Sequence, residues 1–282
     1  GLAGFYFIRD DLDTGFSDNP SGLPAYPYEL AYAIQDRMFL ANGELFYSAY
    51  PGDPFYDDFI TNEFVELPGD LFPNGGPTAL AEFFGDHMVV NGKIWPKEDV
   101  EPRNYRMRLL NGSDSRFMVL RFRAVDLGVT DPNHASAGDP LPFYVVGSDQ
   151  GLAEEPTLTD TLIFEPGSRY DVVVDLSQVP PDSRVIMENI GGDAPFGGDY
   201  GDDLSEEDFF PNRQTDRIMA FDVVRARDDS IDDTFVPWSQ SDGVYTPNNT
   251  PATVTRKVAL FEGKDEFGRL QPLLGAYDET LE

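Results

Sequence analysis

The sequence contains no cysteine, and that absence removes several kinds of chemistry at once. Disulfide bonds, Cys-based zinc sites, thiol nucleophiles and thiolate-ligated metal centres are all excluded. Histidine is almost absent too, because His87 and His134 are the only two in 282 residues. They occupy different segments and cannot form a His-x-His metal site, so we expect both to be surface or loop side chains.

Lysine and long apolar runs are also scarce. The chain has 16 Arg but only 4 Lys against 51 Asp and Glu, which gives a net charge of −31. Nucleic acids and anionic membrane surfaces would be repelled, and no apolar run approaches the roughly 20 residues that span a bilayer. Such a densely acidic surface suits a high-salt environment, where screening suppresses self-repulsion. An ordinary acidic secreted protein is the alternative.

Long helical periodicity is missing, since 26 Gly and 23 Pro interrupt any window that could sustain it. Short apolar or alternating runs, each closed by Gly, Pro, Asn or Asp, recur instead and predict strands. The predicted strands are 5–9, 29–36, 88–90, 105–110, 117–123, 143–146, 161–164, 170–175, 184–188, 217–224 and 254–261. The fold class is therefore all-β, an antiparallel sandwich. The run at 5–9 is typical of a strand rather than of a signal peptide.

Three segments are predicted to be loops. Residues 41–86 carry five prolines, namely Pro51, Pro54, Pro68, Pro73 and Pro77. Residues 191–213 include an acidic run at 199–208, and residues 225–253 resemble an interdomain linker. The acidic run suggests calcium, but it lacks the ligand order of an EF-hand, so we expect a solvated acidic loop.

Arginines form a cluster within the predicted strands. Arg106 and Arg108 alternate with apolar residues, and Arg116, Arg121 and Arg123 follow. We expect them to pair with carboxylates on neighbouring strands or on another domain. A site for a substrate anion is the alternative.

Motifs of catalysis are missing. There is no G-x-S-x-G elbow, P-loop or dinucleotide-binding fingerprint, and carboxylate pairs are too numerous to single out a glycosidase dyad. Asn111-Gly-Ser113 and Asn248-Asn-Thr250 match the glycosylation triplet, a short and unspecific pattern. We therefore predict no catalytic, cofactor-binding or metal-binding residue in this chain.

Several ordered stretches carry a family resemblance. They are Glu82-Phe-Phe-Gly-Asp-His-Met-Val-Val-Asn-Gly-Lys-Ile-Trp-Pro96, Val100-Glu-Pro-Arg-Asn-Tyr-Arg-Met-Arg-Leu-Leu-Asn-Gly-Ser-Asp-Ser-Arg116, Phe143-Tyr-Val-Val-Gly-Ser-Asp-Gln-Gly-Leu152, Phe164-Glu-Pro-Gly-Ser-Arg-Tyr-Asp-Val-Val-Val-Asp175 and Arg256–Leu274, which contains Asp265-Glu-Phe-Gly-Arg269. Together with residues 1–6, they resemble multicopper oxidases of the spore-coat laccase and bilirubin oxidase group. The matches keep their order over most of the chain, which makes the resemblance specific.

The resemblance implies a cupredoxin-like Greek-key β-sandwich with extra strands from neighbouring domains. Residues 1–25 would be the end of a first cupredoxin domain and a linker, and 26–228 a copper-free middle domain. Residues 229–252 would be a second linker and 253–282 the start of a third domain. The family's copper ligands would lie outside this internal piece. Its partners would be the flanking domains, which hold the type 1 and trinuclear copper sites of the parent.

Three functions remain open. The resemblance implies a parent that oxidises phenolic or similar donors and reduces dioxygen to water, with a structural role for this piece. Alternatives are a copper-free scaffold protein of the same architecture, as in bacterial cell division, and an acidic β-sandwich binding module. The segments at 95–96 and 265–269 resemble the copper-bearing members more closely. The sequence leaves localisation undetermined, with a secreted, periplasmic or cell-surface parent from a high-salt environment as the expectation.

The high-salt interpretation predicts a stability that depends on salt. We expect the free energy of unfolding to rise as KCl increases from dilute buffer to molar concentration, because screening lowers the repulsion among surface carboxylates. Denaturant unfolding at each salt concentration measures this. A free energy of unfolding that stays constant over the range would rule the interpretation out.

Overall fold

The structure is a computed structural model that describes residues 3–50, 52–54, 56, 68–72, 82–239, 242 and 251–276. The chain divides into two compact units. The first comprises Gly1–Phe39 and Phe84–Pro247, and the second comprises Leu40–Phe83 and Asn248–Glu282. Three of the predicted loop prolines (Pro51, Pro73 and Pro77) and the second glycosylation triplet lie outside the described residues.

Strands dominate the described residues. In chain order they are β1 (Glu29–Phe39), β2 (Leu45–Phe46), β3 (His87–Val90), β4 (Lys93–Ile94), β5 (Lys97–Val100), β6 (Asn104–Asn111), β7 (Met118–Asp126), β8 (Phe143–Ser148), β9 (Gly151–Thr159), β10 (Leu162–Phe164), β11 (Arg169–Asp175), β12 (Ser183–Asn189), β13 (Arg217–Val223), β14 (Val258–Lys264) and β15 (Leu270–Ala276). Two short 3-10 turns, Gly201–Asp203 and Glu206–Asp208, lie between β12 and β13.

The first unit contains two sheets. The first sheet runs in the order β4-β3-β1-β6-β11-β8-β9, and the second runs β10-β7-β12-β13-β5. Most neighbours are antiparallel, but β1 pairs with β6 and β13 pairs with β5 in parallel. The predicted all-β sandwich is confirmed, with these two parallel pairs among otherwise antiparallel neighbours.

Alternation along the strands places the core between the sheets. In β1, Tyr32 and Ile34 are buried while their sequence neighbours are partly exposed, which is the pattern of a strand with one face inward. β12, an interior strand of the second sheet, is buried along almost its whole length, so both of its faces are covered. Phe122 stands at the centre of the core, with its ring centroid 5.3 Å from that of Phe143 and 6.4 Å from that of Phe221.

The structure corrects the strand prediction at both ends of the chain. Residues 5–9, all of which are described, form no strand. The Phe7 ring lies instead against the guanidiniums of Arg108, at 4.8 Å, and Arg9, at 5.5 Å. The predicted strand at 254–261 begins later, at β14.

Five strands were not predicted, namely β2, β4, β5, β9 and β15. β2 and β4 have two residues each, too few to show a period. β5 and β9 are edge strands, where charges and proline are tolerated, so the Lys97-Glu-Asp99 and Glu154-Glu-Pro156 runs do not look like strand sequences.

The second unit contains the antiparallel hairpin of β14 and β15. Its turn is organised by Asp265, whose Oδ1 accepts hydrogen bonds from the backbone N–H groups of Phe267 and Arg269 at 2.9 and 2.8 Å. The Arg269 guanidinium donates to Asp265 Oδ2 at 2.6 Å and lies 5.2 Å from the ring centroid of Phe72. Within the described part of the chain, no helix has the length and apolar character that a membrane span requires.

Removal of a central core side chain should destabilise the first unit strongly. We expect Phe122→Ala to lower the free energy of unfolding by about 3–5 kcal/mol, because a fully buried ring leaves a cavity. Ile163→Ala, on β10 with a side chain that is 41% exposed, should cost less than about 1 kcal/mol. Denaturant unfolding of both variants measures the difference. Equal losses would contradict the assignment of Phe122 to the core.

Candidate functional site

The outer face of the first sheet is covered by two segments that flank the sandwich. We call them the first connector (residues 9–27) and the second connector (residues 225–239). Val146 and Val173 point away from the main core and pack against Leu23 of the first connector and Trp238 of the second. All four are buried. The Trp238 indole N–H also donates to the carbonyl of Ala153 at 3.1 Å, so both connectors are part of the folded unit.

The first connector is held by Arg106 on β6. The Arg106 guanidinium is fully buried and donates two hydrogen bonds to Asp13, at 2.7 and 2.8 Å. It also donates to Asp171 on β11, at 2.6 to 3.1 Å. Arg108 joins Asp13 at 3.0 Å and Glu29 at 2.5 Å. Paired, charge-assisted bonds of this kind are among the strongest in proteins and fix geometry as well as energy.

Charge balance sets the protonation of this cluster. Burial alone would raise the pKa of Asp13, but the hydrogen bonds and charge of Arg106, with the charges of Arg108 and Arg9, lower its pKa to about 2. Burial likewise opposes ionisation of Glu29, and the hydrogen bond from Arg9 and the charge of Arg106 outweigh it, so its pKa is lowered. The carboxylates are therefore ionised at neutral pH and neutralise the buried guanidinium.

The second connector is held at the start of the same strand. The buried Arg103 guanidinium donates to the carbonyl of Ile231 and to Glu101, both at 2.9 Å, and lies 3.6 Å from the ring centroid of Tyr28. Next to it, Asn104 donates its backbone N–H to the Asp233 carboxylate at 3.1 Å and its side-chain amide to the Asp233 carbonyl at 3.0 Å. We call these two sets of contacts the clamps. Both clamps lie within residues 103–108, so both connectors are fixed to the start of one strand.

A third buried arginine, Arg116, links β1 to the segment between β12 and β13. Arg116 donates to Asp36 on β1 at 2.8 Å, to Asp193 at 2.5 Å and to the carbonyl of Gly85 at 2.7 Å. A side chain at Gly85 would come within 2.3 Å of the Arg37 backbone nitrogen, so only glycine fits there. The chain between β12 and β13 is thereby fixed to β1.

The predicted pairing of the arginine cluster with carboxylates is confirmed for Arg106, Arg108, Arg116 and Arg123. Arg123 lies 3.3 Å from Glu188, a buried carboxylate whose pKa is raised because burial outweighs the nearby arginine charges. Arg121 donates instead to the Thr161 hydroxyl at 2.9 Å. Because carboxylates of the protein occupy four of the five guanidiniums, the alternative of a substrate-anion site does not hold for this cluster.

Of the two histidines predicted to be surface or loop side chains, His134 is exposed in a loop, whereas His87 begins β3 and is partly buried. His87 Nδ1 is 2.6 Å from Asp86, and its ring stacks on Trp95 at a centroid distance of 5.1 Å. His134 Nδ1 is 2.8 Å from the Ser136 hydroxyl. Over the described ranges, no group of three or more His, Cys, Asp or Glu side chains could hold a metal ion.

Two further sequence predictions can be compared with the structure. The acidic run at 199–208 forms the two 3-10 turns, and a capping box between Ser205 and Asp208 accounts for part of its acidic character. Asn111 cannot accept a glycan, because its side chain is fully buried and donates to the carbonyls of Arg116 and Phe164 at 3.0 and 2.9 Å.

Sequence reasoning missed the residues that complete the clamps, namely Arg103, Asp13, Asp171, Asp233 and Trp238. The alternation of arginine with apolar residues in β6 did indicate a polar face. It could not identify which of 51 acidic residues would meet that face, because the partners lie 65 and 93 positions away from Arg106 in sequence.

Comparison with known proteins adds the following findings. No protein-family model matches the chain. A laccase from Bacillus stratosphericus is 29% identical over 270 residues, which are 95% of this chain and 43% of that protein. A bilirubin oxidase from Albifimbria verrucaria is 32% identical over 272 residues, 96% of this chain and 37% of that protein. The chain thus spans about two fifths of the length of these curated relatives.

Among solved structures, the 2F4 variant of the multicopper oxidase McoA from Aquifex aeolicus matches with a TM-score of 0.51. The match covers 84% of this chain and 41% of that chain at 22% sequence identity. At this identity the likeness concerns the fold alone, and it confirms the predicted cupredoxin-like β-sandwich.

Acid should weaken the clamp on the first connector. The pKa of Asp13 is about 2 in the folded chain against an ordinary value of 3.8, so its stabilisation is complete above about pH 4 and is lost as the pH falls through 2. We expect Asp13→Asn to lower the free energy of unfolding at pH 7 by roughly 1–3 kcal/mol. The variant should also lose less stability than the wild type between pH 4 and 2.

A matched control is Asp149→Asn, which alters an exposed pair with Arg169. It should cost less than about 1 kcal/mol, because water screens exposed ion pairs. Denaturant unfolding from pH 7 to 2 measures all three proteins. Parallel pH curves for the wild type and Asp13→Asn would show that Asp13 does not carry the acid sensitivity.

Proposed function

Because the chain belongs to the multicopper oxidase family along about 95% of its own length, we propose that it is the structural middle region of a laccase-like oxidase. Residues 26–228 would be its copper-free cupredoxin domain. Residues 1–25 and 229–252 would lead from the first domain and towards the third, which would begin at 253–282. The parent would oxidise phenolic or similar donors and reduce dioxygen to water, with this region as scaffold.

One observation carries the proposal, namely that β6 holds both connectors. Arg106 fixes Asp13 in the first connector, and Arg103 with Asn104 fixes residues 231–233 in the second. A domain that separates two catalytic domains must keep the relative positions of the chain segments that enter and leave it fixed. Contacts from residues 103–108, at the start of β6, meet that requirement with one short stretch of chain.

The residues present do not fit a copper site of this family. A blue-copper centre needs a thiolate, and the chain has no cysteine. His-x-His ligation needs paired imidazoles, whereas His87 lies against Asp86 and Trp95 and His134 lies against Ser136. The copper of the parent would therefore be held by the flanking domains, and this region would act through their placement.

The hairpin of the second unit supports a further domain on the same polypeptide. Leu260 faces Leu274 across the two strands, and these side chains are 84% and 70% exposed. Phe261 on the opposite face is half exposed as well. A hairpin that is apolar on both faces is typical of strands covered on both sides, and an isolated hairpin is marginally stable in water.

The proposal predicts that the chain alone is inactive. After incubation with copper, we expect no intense visible absorption of a Cys-ligated centre and no uptake of dioxygen with a phenolic donor. The parent, expressed from its complete gene and loaded with copper, should show both. Absorption spectra and oxygen-electrode traces of the two proteins measure this.

Two outcomes would contradict the proposal. A blue centre or oxidase activity in the chain alone would show that it holds copper itself. A complete gene without His-x-His and His-Cys-His motifs, with a parent that stays inactive, would favour the copper-free scaffold protein instead.

A further inference from the structure

A cleft of about 430 Å³ opens between the edges of the two sheets of the first unit. It is lined by Tyr32 of β1, by Lys93 at the edge of the first sheet, by β5 at the edge of the second, and by Arg225 just after β13. Its volume falls within the range of roughly 300–1,000 Å³ that is usual for small-molecule sites.

Two cations in the lining have no carboxylate partner. Lys93 and Arg225 are exposed, and neither makes an ion pair with any residue that the structure describes. The chain carries 51 acidic and 20 basic side chains, so an unpaired cation is available to an added anion without competition from a bound carboxylate. Arginines such as Arg9, Arg169 and Arg227 are paired even at the surface.

The carboxylates in the lining are already engaged. Glu98 accepts a hydrogen bond of 2.6 Å from the hydroxyl of Tyr32. Burial and the hydrogen bond to Glu98 raise the pKa of Tyr32, so the hydroxyl keeps its proton and continues to donate. Asp99 accepts from Lys97 Nζ at 2.8 Å. Lys97 Nζ also donates to Asp222 at 2.9 Å, so the Lys97 ammonium is engaged by two carboxylates. Among the described residues, the cationic side chains of the lining without a carboxylate partner are therefore Lys93 and Arg225.

We propose that this cleft binds a small multivalent oxyanion, of phosphate or polycarboxylate chemistry, between Lys93 and Arg225. The ammonium and guanidinium groups supply charge-assisted donors from two sides, as oxyanion recognition requires. Because Lys93 lies at the edge of the first sheet and Arg225 follows the last long strand of the second, the anion bridges the two sheets. Binding therefore stabilises the sandwich as well as occupying the cleft.

The long-range field of the chain opposes this binding, because its net charge is −31. At an ionic strength of about 0.15 M the Debye length is about 8 Å, so distant carboxylates are screened while charges within the cleft are not. The experiment is therefore performed at or above that ionic strength, with chloride as the reference salt.

Isothermal titration calorimetry of the full chain with inorganic phosphate and with citrate tests the proposal. We expect saturable binding at one anion per chain, together with a rise in melting temperature above that of chloride at equal ionic strength. Lys93→Gln and Arg225→Gln should each weaken the affinity at least about tenfold, since each removes a charged donor. Saturation by phosphate alone would identify phosphate chemistry, and saturation by citrate alone would identify carboxylate chemistry.

The control variant is Arg169→Gln, which removes an exposed cation far in sequence from the cleft lining and should leave the affinity unchanged. Lys93 and Arg225 make no described ion pair, so their variants should melt at the wild-type temperature when no anion is added, which separates binding from folding. Absence of saturable binding by either anion would overturn the proposal. So would equal affinity in the wild type and the double variant.

Discussion

The structure depends on compensation of three guanidinium groups that are completely withdrawn from water. Arg103, Arg106 and Arg116 are each fully buried, and a charge buried without partners would cost several kcal/mol. Each one must therefore hold carboxylates or carbonyls in fixed positions, and those partners come from segments far apart in sequence. The sheets and both connectors keep their mutual positions because loss of a partner would leave buried charge poorly compensated.

This use of arginine explains how an acidic chain folds around charged groups. The buried arginines draw carboxylates from distant segments into the interior. Asp13 shows the consequence, since its pKa is lowered to about 2 by arginines despite its burial. In the cleft lining, Lys93 and Arg225 make no ion pair with a described residue, which is why the cleft suggests an added anion rather than another internal pair.

A strand or a contact could be predicted from the sequence when the residues that determine it are close together in the chain. Strands such as β6 and β11 could be predicted because alternation and turn residues are local signals. β5 and β9 could not, because a run of charges or a proline such as Pro156 is tolerated best at a sheet edge, and the edge is a property of the whole fold. Arg106 could be expected to pair, but Asp13 could not be named, since a carboxylate 93 positions away carries no local signal. The prediction of a strand at 5–9 was wrong because Phe7 packs against guanidiniums rather than within a sheet.

The placement of both clamps on β6 has a mechanical consequence. A pull on the first connector loads Asp13 and Arg106, and the strand that carries this load is the same one that anchors Asp233 through Asn104. Force between the two connectors would thus pass through a few residues of extended backbone in β6 rather than across both sheets. The positions of the two connectors are therefore coupled through the first residues of β6, and a displacement of one of them would be resisted by the contacts of the other.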